Sequence, residues 1–290
     1  MRQINKCQNE KTKKLRGKTM KLIICIFIFF LLPLLIALLL FGNYRRNFCS
    51  GTCPSWMKEY HFAHRGIISD ANTDENSMGA FRNAVDAGYA IELDLRFTKD
   101  MIPMVIHDNN LSRMCGVDKK LSDLTYEEAR QLTYLKSGEP IVALEDVLNY
   151  VAGRVPLLIE IKAYHIPGEF EENIVKILSG YDGLFAIQSY NPFALNFVKN
   201  IDPSITVGLL LDDVPGLPHY KRGRILKDNL FCFICRPAFI TYNIELVEPH
   251  ELDLFRTPDH IVIGFLFSEE DIEKDNYKDL VDGIVFERNP

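Results

Sequence analysis

The run Ile91-Glu92-Leu93-Asp94-Leu95 alternates aliphatic and acidic side chains with a period of two. That is the period of a β-strand, so Glu92 and Asp94 share one face and the aliphatics take the other. Two carboxylates about 7 Å apart on an interior face repel each other and lose solvation unless a cation neutralises them. A hard divalent ion is the economical partner. Taken alone, the pair reads equally as a strand end with solvated acids. Leu158-Ile159-Glu160-Ile161-Lys162 repeats the arrangement and sets a third carboxylate beside a cation, for which an interior ion pair is the plain alternative. Two further strand ends deliver histidine, in Phe62-Ala63-His64-Arg65-Gly66 and Val105-Ile106-His107-Asp108. One such histidine is usually structural, but four strand ends converging on titratable groups point to a site.

Outward from these runs, short β-rich segments alternate with helical ones, the rhythm of an α/β fold. Strands are expected at Tyr60–His64, Ala90–Leu95, Pro103–His107, Pro156–Ile161, Leu184–Ser189, Ile205–Leu210, Phe239–Tyr242, Ile261–Phe265 and Gly283–Phe286. Nine is one too many for an eight-stranded barrel. Arg96 to Ile102 is too short for a parallel crossover, so the segment ending at His107 reads as a hairpin-like excursion and eight strands remain. Helices are expected at Ser77–Ala87, Tyr126–Leu132, Leu144–Val151, Glu169–Leu178 and Pro192–Lys199, the first with Asn76 as N-cap and Gly88 as stop. The fold class is therefore α/β, a TIM-type (β/α)8 barrel over residues 59–290 with a small hairpin-like insertion.

With His64-Arg65-Gly66, Glu75-Asn76, Glu92-x-Asp94, His107-Asp108 and Glu160-x-Lys162 in this order, the chain resembles the glycerophosphodiester phosphodiesterase family. Further likenesses are Ala80-Phe81-x-x-Ala84, Leu144-Glu145-x-Val147-Leu148, Ile187-Gln188-Ser189-Tyr190 and Val281-Asp282-Gly283-Ile284. The resemblance implies a TIM-type barrel that uses one divalent cation, Mg²⁺ or Ca²⁺, to cleave a glycerophosphodiester to glycerol 3-phosphate and an alcohol. It maps the metal ligands onto Glu92, Asp94 and Glu160 and the acid/base pair onto His64 and His107. Arg65 and Lys162 become phosphate-binding cations, and Glu75 and Asn76 complete the site. Asp74 stands where the family has proline. Gly264-Phe265-Leu266-Phe267 replaces an aromatic-Thr-Val-Asn pattern, and Phe286-Glu287-Arg288-Asn289-Pro290 keeps the proline of the last motif with an acid at Glu287. These departures bear on the alcohol side of the pocket. Two other readings stay open: a lysolipid- or sphingomyelin-directed phosphodiesterase, and a barrel used as a binding module.

The N-terminus carries a separate signal. Residues 1–21 hold eight Lys/Arg against Glu10, and twenty uncharged residues follow from Leu22 to Phe41. That length spans a bilayer. A signal peptide has a shorter apolar core and a small-residue cleavage site, which Leu39-Leu40-Phe41-Gly42-Asn43 does not offer. One transmembrane helix over 22–42 is expected, with a basic cytosolic tail (1–21), a linker (43–58) and an extracytoplasmic barrel, by the positive-inside rule. The rest of the chain has 25 basic and 38 acidic residues, a balance that repels nucleic acid. Cys49 and Cys53 read equally as a local disulfide or as two thiols. Cys232 and Cys235 have the spacing of half a zinc site, but no second pair completes it, and they read as structural.

Overall fold

The computed structural model describes residues 27–34, 53–162, 165–211, 232, 234–244, 260–274 and 277–288. Its strands are β1 (Phe62–His64), β2 (Ala90–Phe97), β3 (Pro103–Val105), β4 (Leu157–Ile161), β5 (Phe185–Ser189), β6 (Val207–Leu211), β7 (Phe239–Asn243), β8 (Ile261–Ser268) and β9 (Gly283–Glu287). They hydrogen-bond in the order β1-β9-β8-β7-β6-β5-β4-β2-β3, and β1 also pairs with β2. The second pairing closes a barrel of eight parallel strands. β3 alone is antiparallel, with Leu95, Arg96 and Phe97 of β2 facing Val105, Met104 and Pro103. It is the expected excursion, though it ends two residues short of His107.

Among the described residues the α-helices are α1 (Trp56–Glu59), α2 (Met78–Asp86), α3 (Ser112–Cys115), α4 (Tyr126–Ala129), α5 (Leu144–Val151), α6 (Glu169–Leu178), α7 (Pro192–Ile201) and α8 (Glu269–Glu273). In α5 the buried residues are Leu144, Val147, Leu148 and Val151, one stripe of a 3.6-residue period. α7 begins where Asn191 accepts from Phe193 N (3.0 Å) with Pro192 at the first helical position. The expected cap of α2 is corrected: Ser77, not Asn76, takes the N-cap position, its Oγ accepting from Ala80 N at 3.1 Å. α4 ends at Ala129, three residues before the expected Leu132.

Phe62, Ala90, Leu158, Ala186, Phe239, Ile263 and Val285 pack in one buried cluster drawn from seven of the eight barrel strands. Met57 of α1 joins it, so the last residues of the expected linker already belong to the folded barrel. A second buried cluster, with Met104, Ile106, Leu111, Met114, Tyr134 and Ile141, fills the excursion between β2 and α5.

Contacts divide the chain into Met1–Phe48 and Cys49–Pro290. In the first unit Phe27–Leu31 form one π-helical turn. Most of the expected 22–42 span lies outside the described residues, and no described helix is long and apolar enough to cross a membrane. Cys49 also lies outside them, while Cys53 carries a free thiol beside the Met57 sulfur, at 3.4 Å. Cys232 and Cys235 are buried.

Candidate active site

The strand period that built the barrel floor also builds the site. Two residues beyond Phe62, Ala90, Leu158, Ala186, Phe239, Ile263 and Val285 stand His64, Glu92, Glu160, Gln188, Thr241, Phe265 and Glu287, and all seven line one pocket of ≈ 290 Å³. Each strand thus gives its floor residue first and its site residue next. The pocket lies toward the carboxyl ends of the strands, where barrel enzymes hold their chemistry.

On β1 the chain turns sharply through His64-Arg65-Gly66. Gly66 has φ +85°, and a Cβ there would come 2.8 Å from Ala80 of α2, so only glycine fits this approach. Arg65 and Asn76 both take left-handed φ, +57° and +56°, and Asn76 N donates to Arg65 O at 2.9 Å. Such non-glycine conformations cost about 1–3 kcal/mol each and persist where surrounding contacts hold them. Here those contacts are ionic. Arg65 Nη1 donates to Glu75 Oε1 (2.9 Å), Arg65 N to Glu92 Oε2 (3.2 Å), and Arg65 Nε lies 3.1 Å from Asp94 Oδ2. Asn76 grips Asp94 twice: Nδ2 donates to Oδ2 at 2.9 Å, and Oδ1 accepts from Asp94 N at 3.3 Å.

Both histidines offer Nδ1 to a carboxylate, His64 to Glu287 Oε1 at 3.0 Å and His107 to Asp108 Oδ1 at 2.7 Å. An ionised carboxylate only accepts, so beside one each Nδ1 carries a proton and Nε2 is left as the nitrogen that can take or give another. Burial holds the His107 pKa below its usual value, against the pull of Asp94. Burial opposes the charge on Asp108, but hydrogen bonds from Arg113 and His107 win and bring its pKa down to about 2.

Glu92, Asp94 and Glu160 can place one oxygen each within 4.8 Å of one another. Lys162 Nζ sits 3.0 Å from Asp94 Oδ1 and 2.7 Å from Glu160 Oε1, yet both buried oxygens lack a well-directed hydrogen bond. Burial, reinforced by Asp94 and Glu160, pushes Glu92 well above the carboxylate range, and burial brings Glu160 up to about 7 against the pull of Lys162. For Asp94 burial acts in the same sense, but Lys162 and Arg65 override it and hold the pKa low. Two cations thus leave the trio short of positive charge. All-oxygen donors, close spacing and orphaned buried lone pairs fit a hard divalent cation.

Among the expected site residues, His64, Arg65, Glu92, His107, Glu160 and Lys162 line the pocket. Asp94 is fully buried beside it. Glu75 and Asn76, expected to complete the site, do not line the pocket and are partners of Arg65 and Asp94. Asp74, in the place of proline, accepts from Ser137 N at 2.8 Å. Leu210, Thr241, Phe265 and Val285 form a largely apolar wall that sequence reasoning did not assemble. Thr241 Oγ1 donates to Gln188 Oε1 at 2.8 Å there.

Comparison with known proteins supplies the context for this geometry. Residues 64–227 match the profile of the glycerophosphoryl diester phosphodiesterase family. A glycerophosphodiester phosphodiesterase of Caldanaerobacter subterraneus is 34% identical over 166 residues, 53% of this chain and 67% of that one. One from Bacillus altitudinis is 33% identical over 166 residues, 53% of this chain and 66% of its own length. The matched stretch thus spans about two thirds of these relatives. An Oleispira antarctica phosphodiesterase in complex with the product sn-glycerol-3-phosphate superposes with a TM-score of 0.65 at 21% identity, covering 78% of this chain and 92% of that one. At that identity the likeness is one of fold.

Proposed function

The chain belongs to the glycerophosphoryl diester phosphodiesterase family, and on that premise we propose that it hydrolyses a glycerophosphodiester to glycerol 3-phosphate and an alcohol. The observation that carries the reading is one pocket in which two carboxylate-held histidines face Arg65, Lys162 and a cluster of three acids. In the reaction an oxygen nucleophile adds to phosphorus and the bond to the leaving alkoxide breaks. The nucleophile's proton passes to the Nε2 of one neutral imidazole, and the leaving oxygen takes the Nε2 proton of the other ring, which acts from its imidazolium form. Arg65 and Lys162 face the charge on the phosphoryl oxygens. Glu92, Asp94 and Glu160 would hold a divalent cation, Mg²⁺ or Ca²⁺, which when bound would supply electrophilic stabilisation of that charge. Assay of the full chain in detergent on glycerophosphocholine, with and without chelator, tests this. Metal-dependent release of glycerol 3-phosphate is expected, and no turnover with either ion would reject it.

The wall of Leu210, Phe265 and Val285 supports a second reading, in which the alcohol carries an acyl chain as in a lysolipid. Hydrolysis of lysophosphatidylcholine with glycerophosphocholine untouched would favour it. We also read residues 22–42 as a membrane anchor, with the basic 1–21 tail cytosolic and the barrel extracytoplasmic. The support is the uncharged Leu22 to Phe41 run and the excess of basic residues before it. Retention in membranes after alkaline carbonate extraction, with the barrel open to protease from outside intact cells, is the expected result. Release by carbonate would reject the anchor.

A further inference from the structure

Arg113 stands outside the pocket, on the four-residue α3, and the reaction proposed above makes no use of it. Its guanidinium nevertheless reaches both halves of the site. Nε donates to Asp108 Oδ2 at 2.5 Å, and Nη2 donates to Glu75 Oε1 at 2.6 Å. Asp108 turns its other oxygen to His107 Nδ1. The same Glu75 oxygen accepts from Arg65, whose Nε lies against Asp94. One run of charge therefore leads from the His107 imidazole through Arg113 to Arg65 and the acid cluster.

Exposed ion pairs usually contribute little, because each charge keeps most of its water. This case differs in two ways. The Arg113 side chain is 52% exposed, but its partners Glu75 and Asp108 are only 18% and 22% exposed. It also takes one acid through each of two nitrogens, a fork that an ammonium cannot reproduce. The backbone that carries Arg113 is itself placed by packing, since Leu111, Met114 and Cys115 on either side are buried in the core of the excursion.

We propose that Arg113 is a positioning residue: by gripping the carboxylate that orients His107 and the one that orients Arg65, it holds both in one frame. The proposal rests on the reading of His107 and Arg65 as groups that act on the substrate. Loss of an orienting partner costs on the order of 10- to 100-fold when the group it orients is displaced. Arg113→Ala in the full chain is therefore expected to lower kcat/KM on glycerophosphocholine by about that factor. Arg113→Lys should recover little of it. The Arg113→Ala/Asp108→Asn double variant should lose less than the product of the two single losses, because the two share the branch through His107 while Arg113 also acts through Glu75.

A readout independent of turnover is the ¹⁵N spectrum of the His107 ring, assigned by its absence in His107→Ala. Wild type should show Nδ1 protonated and Nε2 not, and Arg113→Ala should show the two tautomers averaging. If Arg113→Ala does not fold, Arg113→Gln carries the same comparison. An inactive wild type defeats the proposed function, while the ring spectra still decide the role of Arg113. Unchanged kcat/KM, a fully active Arg113→Lys, or unchanged His107 ring signals in a folded variant would overturn the proposal.

Discussion

On the side of β1, β2 and β4 the pocket wall is His64, Arg65, Glu92, Glu160 and Lys162, joined by Glu287 from the end of β9, while across β6, β7, β8 and the middle of β9 it is Leu210, Thr241, Phe265 and Val285. Every residue on the first wall carries or can carry charge, and none on the second does. The two walls answer different demands. An anionic phosphodiester requires particular charges at particular strand positions. The group esterified to it requires only room and a surface of matching polarity. The first wall is consequently intolerant of change, and the second is where members of one fold can differ.

The largest effect should fall on the acid cluster. Glu160→Gln, or chelation of the wild type, is expected to cost roughly 10³-fold or more in kcat. Retained activity in both would remove the metal from the charged wall. His107→Ala should follow with a loss of about 10²-fold or more, measured with stability checked by thermal melting. On the other side of the barrel Gly208 is in such close contact that a Cβ would lie 2.1 Å from the Phe239 ring. Gly208→Ala should therefore lower stability by about 1–3 kcal/mol, read from urea midpoints. An unchanged midpoint would show that the β6 and β7 layer can yield.

Smaller still, Phe265→Ala should shift the preference between lysophosphatidylcholine and glycerophosphocholine by about tenfold while leaving the phosphate chemistry in place. Equal losses on both substrates would mean that the two walls are not separate in function. The smallest effect is on acid stability. Asp108 titrates at about 2 in the fold, below its ordinary value, so its ion pairs stabilise the protein above about pH 4. That contribution disappears as pH falls through about 2. Between those limits the wild type should lose more stability than Asp108→Asn, and parallel losses would reject the contribution.

Nine strands were legible because aliphatic alternation and turn residues mark them locally, and the excursion was legible because seven residues cannot make a parallel crossover. Glu92, Asp94, Glu160 and Lys162 were legible because two-residue spacing puts them on one face. What escaped depends on contacts between distant segments. His64 meets Glu287 across 223 positions, and Arg113 meets Glu75 across 38. The cap of α2 was misplaced by one residue because Asn76 is as good a cap as Ser77 by type. Its amide is instead committed to Asp94, which only the folded barrel shows. Helices α1, α3 and α8, of four or five residues, are too short to display a helical period.

Tyr134 gives the excursion a further meaning. Its buried hydroxyl lies 3.1 Å from Asn76 O and 3.2 Å from Val105 O, sharing one proton between two segments that the site depends on. The excursion has its own buried cluster, so it can open as a cooperative unit without unzipping the eight parallel strands. In that partly opened state the protein would keep its barrel and its far-ultraviolet signature. It would lose the anchoring of Asn76, of the turn at Arg65 and of His107 together. Inactivation on heating would then precede global unfolding, and amide exchange in residues 103–143 would report the loss of function earlier than any probe of the sheet.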